Sequence, residues 1–204
     1  MEEVLDVYER PYNEKNPVVC LDESPCQLIG EYRKSYTFQG VNHIDYEYKR
    51  NGTVDLYMIV EPLGGRREVF VRDHHTRLEW AEMVAYIAEK MYPNAEMITL
   101  VEDNLKAHKK SALYELFTPE RAREILRRIE FIFTPKHGSW LNIAECELSV
   151  LARQQLSQRI DSKKEMKQIV LDWYQVRNQN QAKVDWQFTT VDARIKLKRL
   201  YPSF

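Results

Sequence analysis

Apolar and polar positions follow two periods along this chain. Val18-Val19-Cys20-Leu21 is a short continuous apolar run of the kind that fills a central strand. It gives way to Asp22-Glu23, and Ser24-Pro25 then predicts a turn. The stretch before it, residues 1–16, predicts an arm or linker, and residues 26–42 show no clear period and predict an irregular loop. Ile44, Tyr46 and Tyr48 alternate with polar residues up to Asn51-Gly52, a pair that predicts a tight hairpin turn. Val54–Val60 and Glu68–Val71 predict two more strands, separated by a turn at Pro62-Leu63-Gly64-Gly65. The period then lengthens. From Thr76 to about Tyr92 the stripe Leu78, Met83, Ala85, Tyr86, Ile87 and Met91 predicts a helix, closed by Pro93-Asn94. Ile98–Val101 predicts a buried strand that stops on Glu102-Asp103-Asn104. Ala112–Phe117 and Pro119–Arg128 predict short helices, the second with proline in its first turn. Ile129–Phe133 predicts a strand, and about Leu141–Arg153 and Ser162–Val176 predict two further helices. Antiparallel strands followed by strand–helix units imply an α/β fold, a mixed sheet with helices on its faces.

Composition narrows the class. With 204 residues, 44% hydrophobic and 30% charged, the chain reads as an ordinary globular domain with room for an extension. Its net charge of −1 argues against a wholly basic nucleic-acid binder, but the charge is segregated. Eight acids against Arg10 and Lys15 occupy the first 31 residues, whereas eight Lys/Arg and four Glu fall between Lys106 and Lys136. The C-terminal segment adds Arg194, Lys196, Lys198 and Arg199. Basic stretches after an acidic one suit either a phosphate-facing surface or a set of solvated helix faces. Cys20, Cys26 and Cys146 are an odd number without a CxxC spacing, which argues against a disulfide framework or a structural zinc site and for a reducing, cytoplasmic setting. No run approaches the ~20 apolar residues of a membrane span, so no membrane partner is expected.

The candidate chemistry lies in three acids. Asp22 ends one predicted strand, Asp103 ends another, and Glu145 sits one turn into the helix after the last strand, behind a candidate cap at Asn142. Taken singly, each is as readily a helix cap or a surface charge. Glu147 lies two positions from Glu145 and faces elsewhere on the helix. If the two strands are parallel neighbours, their acids emerge side by side at a sheet edge where open α/β sheets hold ligands. Three converging carboxylates repel one another, and divalent cations with oxygen ligands, Mg²⁺ or Mn²⁺, relieve that repulsion. Two such ions can clamp an in-line phosphoryl transfer. Lys106, Lys109 and Lys110 are candidates for contact with the DNA backbone, as are Lys136 and His137 in the loop before Glu145, and His108 stands with them. Trp140 suits either base stacking or core packing, and His74 and His75 carry no assigned role.

VVCLDES, LVEDNLKAH and FTPKHGSWLNIAE resemble the three catalytic blocks of a DDE transposase, of the bacterial insertion-sequence type called IS-six-thirty within the mariner-like superfamily. RNGT at 50–53, ARQQLSQRI at 152–160 and WQFTTVDARIKLKRLYP at 186–202 extend the likeness over nearly the whole chain from about residue 8. The resemblance implies a ribonuclease-H-like fold, a mixed five-stranded sheet flanked by helices on both faces. It divides the chain into an arm at 1–16, a catalytic domain at 17–181 and a basic extension at 182–204. It makes Asp22, Asp103 and Glu145 the catalytic acids and ligands of two Mg²⁺ or Mn²⁺ ions, with Asp22 bridging both, and it matches Asn104 and His108 to the polar residues that accompany the second acid. It implies cleavage of double-stranded DNA at element ends, transfer of the freed 3′-hydroxyl to a TA target, at least a homodimer, and a bacterial, nucleoid-associated location. The alternatives are a plain metal nuclease of the same fold and a catalytically silent DNA-binding or oligomerisation remnant. The family's N-terminal helix-turn-helix modules have no counterpart ahead of Val18 in this sequence.

Overall fold

The structure is a computed structural model that describes residues 1–33, 36–43, 46–105, 108–136 and 138–201. Its central strand, β1 (Val18–Glu31), has different neighbours along its two halves. On one edge it pairs antiparallel with β4 (Tyr48–Glu61) from Cys20↔Val60 to Glu31↔Tyr48. On the other it pairs parallel with β6 (Ile98–Glu102), but only over Val18–Cys20 against Thr99–Val101. β5 (Arg66–Arg72) flanks β4 and β7 (Ile129–Phe133) flanks β6, giving the mixed five-stranded order β5-β4-β1-β6-β7. A separate two-stranded ribbon joins β2 (Tyr36–Phe38) to β3 (Val41–His43).

Alternation along the strands feeds two helical layers. Cys20, Leu56, Met58, Val60 and Val101 belong to one core with α1 (Glu2–Tyr8), α5 (Ile143–Gln155), α6 (Lys163–Gln179) and α7 (Thr190–Lys196). Val19, Leu21, Tyr57, Ile59, Ile98 and Leu100 belong to the other. That second layer is α2 (Arg77–Tyr86) with its π-helical continuation Ile87–Met91, α3 (Ser111–Leu116) and α4 (Pro119–Arg127). A central strand buried on both faces has no room for a polar stripe, which is why Val54–Val60 reads as nearly unbroken apolar sequence. Each of these buried aliphatic side chains contributes about 1.5–3 kcal/mol relative to exposure.

From Thr76 onward the predicted elements stand where their periods put them, with ends moved by a few residues. Thr76 itself caps α2 in a reciprocal box with Glu79. The N-terminal third needs correction. Ser24-Pro25 does not turn the chain: β1 runs straight through, with Pro25 opposite Asp55. Past Cys20 the strand has β4 on one side only, an edge position that tolerates proline. Asn51-Gly52 is not a hairpin turn either. It lies inside β4, where Asn51 and Gly52 together oppose Leu28 between the pairs Gln27↔Thr53 and Ile29↔Arg50. This is a β-bulge, and Gly52 supplies its left-handed φ of +99°. The reversal sits instead at Gln39-Gly40, with φ of +49° and +77°, joining Phe38 to its partner Val41. Residues 26–42, expected to be irregular, thus hold the outer half of β1, β2 and the start of β3. Ile44 of the expected alternation lies outside the described residues. Within the stretch expected to be an arm, α1 buries Val4, Leu5, Val7 and Tyr8.

Candidate active site

β1 and β6 each carry two successive acids past the end of their shared ladder. The last parallel pair is Cys20↔Val101. Because side chains alternate, the acids of each pair part company. Asp22 continues the row of Cys20 toward α5, and Glu23 continues the row of Leu21 toward α2. Glu102 follows Leu100 toward α2, and Asp103 leaves the strand end.

Glu145 is brought to the same place by the start of α5. Asn142 caps that helix, its Oδ1 accepting from the Ala144 N–H at 3.1 Å. Its Nδ2 donates to the Leu21 carbonyl at 2.9 Å, one residue before Asp22. Tyr8 braces the same turn from below, its hydroxyl donating to the Leu141 carbonyl at 2.8 Å. Asp22, Asp103 and Glu145 therefore line one open cleft, together with Glu23, Ser24, Ser139 and Ser149.

The electrostatics of this cleft are strained toward cations. Burial raises the Asp22 carboxyl to about 7; the Glu23 N–H on its Oδ1 pulls the other way, and Glu23, Asp103 and Glu145 push it further up. Glu145 Oε2 and Glu23 Oε2 are buried without a hydrogen-bond donor among the described residues. An all-oxygen donor set with orphaned carboxylate oxygens suits a hard divalent ion. As placed, no three His, Cys, Asp or Glu side chains among the described residues close around a single ion.

Behind the cleft lies a second acidic group that was not singled out from the sequence. His108 is buried, with Nε2 at 3.2 Å from Glu23 Oε1 and Nδ1 at 2.9 Å from Asp103 Oδ1 and 3.1 Å from the Asp103 carbonyl. Both ring nitrogens face oxygen acceptors only, which fits the doubly protonated imidazolium. Burial opposes that charge, but the bonds to Asp103 and Glu23 and the nearby Glu102 outweigh it and raise the ring to about 11. Glu102 is fully buried, and that burial lifts its carboxyl to about 8, moderated by His108 and by the Trp80 indole N–H, which donates to Oε2 at 2.7 Å. The signal for Glu23 and Glu102 was present in the sequence. Two acids in a row at a strand end cannot both face the same layer.

The other candidates fall in different places. Lys109, Lys110 and Lys136 are exposed, as is Asn104, with Lys110 Nζ 4.7 Å from the Phe131 ring centroid. His108, grouped with them as a DNA contact, is instead 7% exposed. Lys106 and His137 lie outside the described residues. Trp140 is half-exposed at the rim of an aromatic cluster with Trp186 and Phe188. Glu147 turns away from Glu145, as its spacing predicted, and pairs with the fully buried Arg67 at 2.9 Å and with Arg177 at 2.6 Å. His75 contacts the buried Asp55 at 2.8 Å.

Residues 17–167 match a family model described as DDE superfamily endonuclease. No curated protein matches the chain. Among solved structures, the chain is similar to the Mos1 strand transfer complex, with a TM-score of 0.57 and 16% identity over 85% of this chain and 51% of that one. It is also similar to the Mos1 mariner paired end complex with Mn, at a TM-score of 0.57 and 15% identity over 90% of this chain and 56% of that one. For the catalytic domain of Mos1 mariner transposase the TM-score is 0.54, with 12% identity over 88% of this chain and 81% of that one. The chain spans about half the length of the first two. The shared architecture is the ribonuclease-H-like fold expected from the sequence, a mixed five-stranded sheet between helical layers.

Proposed function

The chain belongs to the DDE superfamily of endonucleases, and from that membership we propose that it is a transposase catalytic domain which cuts and joins DNA phosphodiesters. Asp22, Asp103 and Glu145 are the acids that do this work. The observation that carries the proposal is that these three, distant in sequence, line one cleft inside the segment that matches the family. Asp22, Asp103 and Glu145 are the residues that would hold Mg²⁺ or Mn²⁺ in this cleft. Bound there, such ions would neutralise the acids, polarise the scissile phosphoryl group and lower the pKa of the attacking water.

The chain's own residues bind and orient. Ser139 and Ser149 line the cleft and offer hydroxyl donors of the kind that bind phosphate oxygens. Exposed Lys109, Lys110 and Lys136 add sequence-independent affinity for the DNA backbone. In the first reaction a water oxygen displaces the 3′-oxygen of a phosphodiester at an element end. In the second, the freed 3′-hydroxyl displaces a 3′-oxygen of the target strand. The finer features belong to the same proposal and are supported by the motifs VVCLDES, LVEDNLKAH and FTPKHGSWLNIAE. They are the IS-six-thirty type, a bacterial nucleoid setting, a TA target and pairing of two copies on two ends.

The test is nicking of a supercoiled plasmid with Mn²⁺, in the wild type and in Asp103→Asn. Manganese-stimulated nicking that the substitution abolishes, in a variant with unchanged circular dichroism, is expected. An inactive wild type would leave a silent remnant as the better account. Nicking without joining of a pre-cut 3′-end to a TA-containing target would reduce the assignment to a plain nuclease.

A further inference from the structure

Asp22 and Asp103 lie beyond Cys20↔Val101, the last backbone pair that joins their strands. No ladder hydrogen bond therefore sets the separation of the two acids across that edge, although β4 still holds Asp22 from the other side. One side chain spans the gap. His108 reaches Glu23, the residue next to Asp22, through Nε2 at 3.2 Å, and reaches both the carboxylate and the carbonyl of Asp103 through Nδ1 at 2.9 and 3.1 Å.

The ring is itself held. Trp80 stacks on it with centroids 5.6 Å apart and planes 14° apart, and the Trp80 indole is fixed in turn by its bond to Glu102. The imidazole side chain is 1% exposed, so it is not available to a DNA backbone. Its partners are a member of the candidate ligand set and a neighbour of another.

We propose that His108 is a positioning residue, which ties the end of β1 to the turn after β6 and so sets the spacing at which Asp22 and Asp103 receive divalent ions. This rests on the metal reading given above. Groups that orient metal ligands from behind change affinity or activity by about ten- to hundredfold when removed. The experiment measures Mn²⁺ binding by titration calorimetry in wild type, His108→Ala and His108→Gln, with DNA affinity measured separately in EDTA. The glutamine keeps one N–H donor group of the two the ring offers.

The expected result has three parts. Mn²⁺ affinity falls about ten- to hundredfold in His108→Ala, recovers partly in His108→Gln, and DNA affinity in EDTA stays at the wild-type value in both. Alanine binding Mn²⁺ as the wild type does, beside a wild type that binds normally, overturns the inference and leaves the metal reading standing. Loss of DNA affinity without loss of Mn²⁺ affinity returns His108 to a DNA contact. Loss of folding in both variants makes the role structural and also overturns it. A wild type that binds no Mn²⁺ removes the metal reading, and this inference with it.

Discussion

Asn142→Ala is the most informative single change for the way this site is assembled. The side chain is fully buried and makes two bonds with opposite ends of one amide. Losing the Oδ1 acceptor removes the cap of α5, which costs about 0.5–2 kcal/mol. Losing the Nδ2 donor leaves the Leu21 carbonyl without that partner in a buried setting, which costs about 1–3 kcal/mol. The two losses act on different groups, so together they predict about 1.5–5 kcal/mol. Asn142→Asp separates them. Aspartate keeps the acceptor and suits the positive end of the helix, but it has no donor for Leu21 and sets a buried carboxylate against that carbonyl. It should therefore be destabilised despite being a good cap, and should lose plasmid nicking as well, because Glu145 is no longer tethered one residue from Asp22. Urea unfolding followed by circular dichroism reads both variants, with an unchanged m-value as the sign that the two end states are the same. An alanine variant within about 0.5 kcal/mol of wild type, or an aspartate variant as stable and active as wild type, would refute the claim that this amide couples α5 to β1.

Two further outcomes follow from the charges. The Asp22 carboxyl is raised from 3.8 to about 7, so the fold favours its neutral form. Its contribution to stability is full below about pH 4 and is lost as the pH rises through about 7. Metal-free protein should lose stability over that window, and Asp22→Asn should remove part of the slope; parallel pH profiles for the two would contradict this origin. Glu147→Gln removes the charge opposite Arg67, which is fully buried, and opposite Arg177, and breaking a buried pair from one side costs about 3–5 kcal/mol. Thermal unfolding with a shift of only a degree or two would mean that water or backbone carbonyls already satisfy Arg67.

Much of this molecule is local in origin. The stripe from Thr76 to Met91, the apolar run Ile98–Val101 and the acids that stop it are legible in sequence, because periodicity and burial act on neighbouring residues. So is the capping role of Asn142, since a short polar side chain ahead of an apolar helix has few better uses. Other features were decided only when strands found partners. Asn51-Gly52 carries the local chemistry of a hairpin, yet β1 pairs along β4 on both sides of it and turns it into a bulge, while the less conspicuous Gln39-Gly40 reverses the chain. Pro25 should end a strand, and it does not, because β6 has already stopped beside β1 and left an edge. His108 reads as a polar companion of Asp103 and a candidate DNA contact, and only the closure of α2 over the ends of β1 and β6 buries it among Glu23, Glu102 and Asp103. Local sequence determines which way a segment prefers to run and which side of it is apolar. Which carboxylates share a cleft, and which lie behind it, depends on strand register and layer packing, and those are set by residues far apart along the chain.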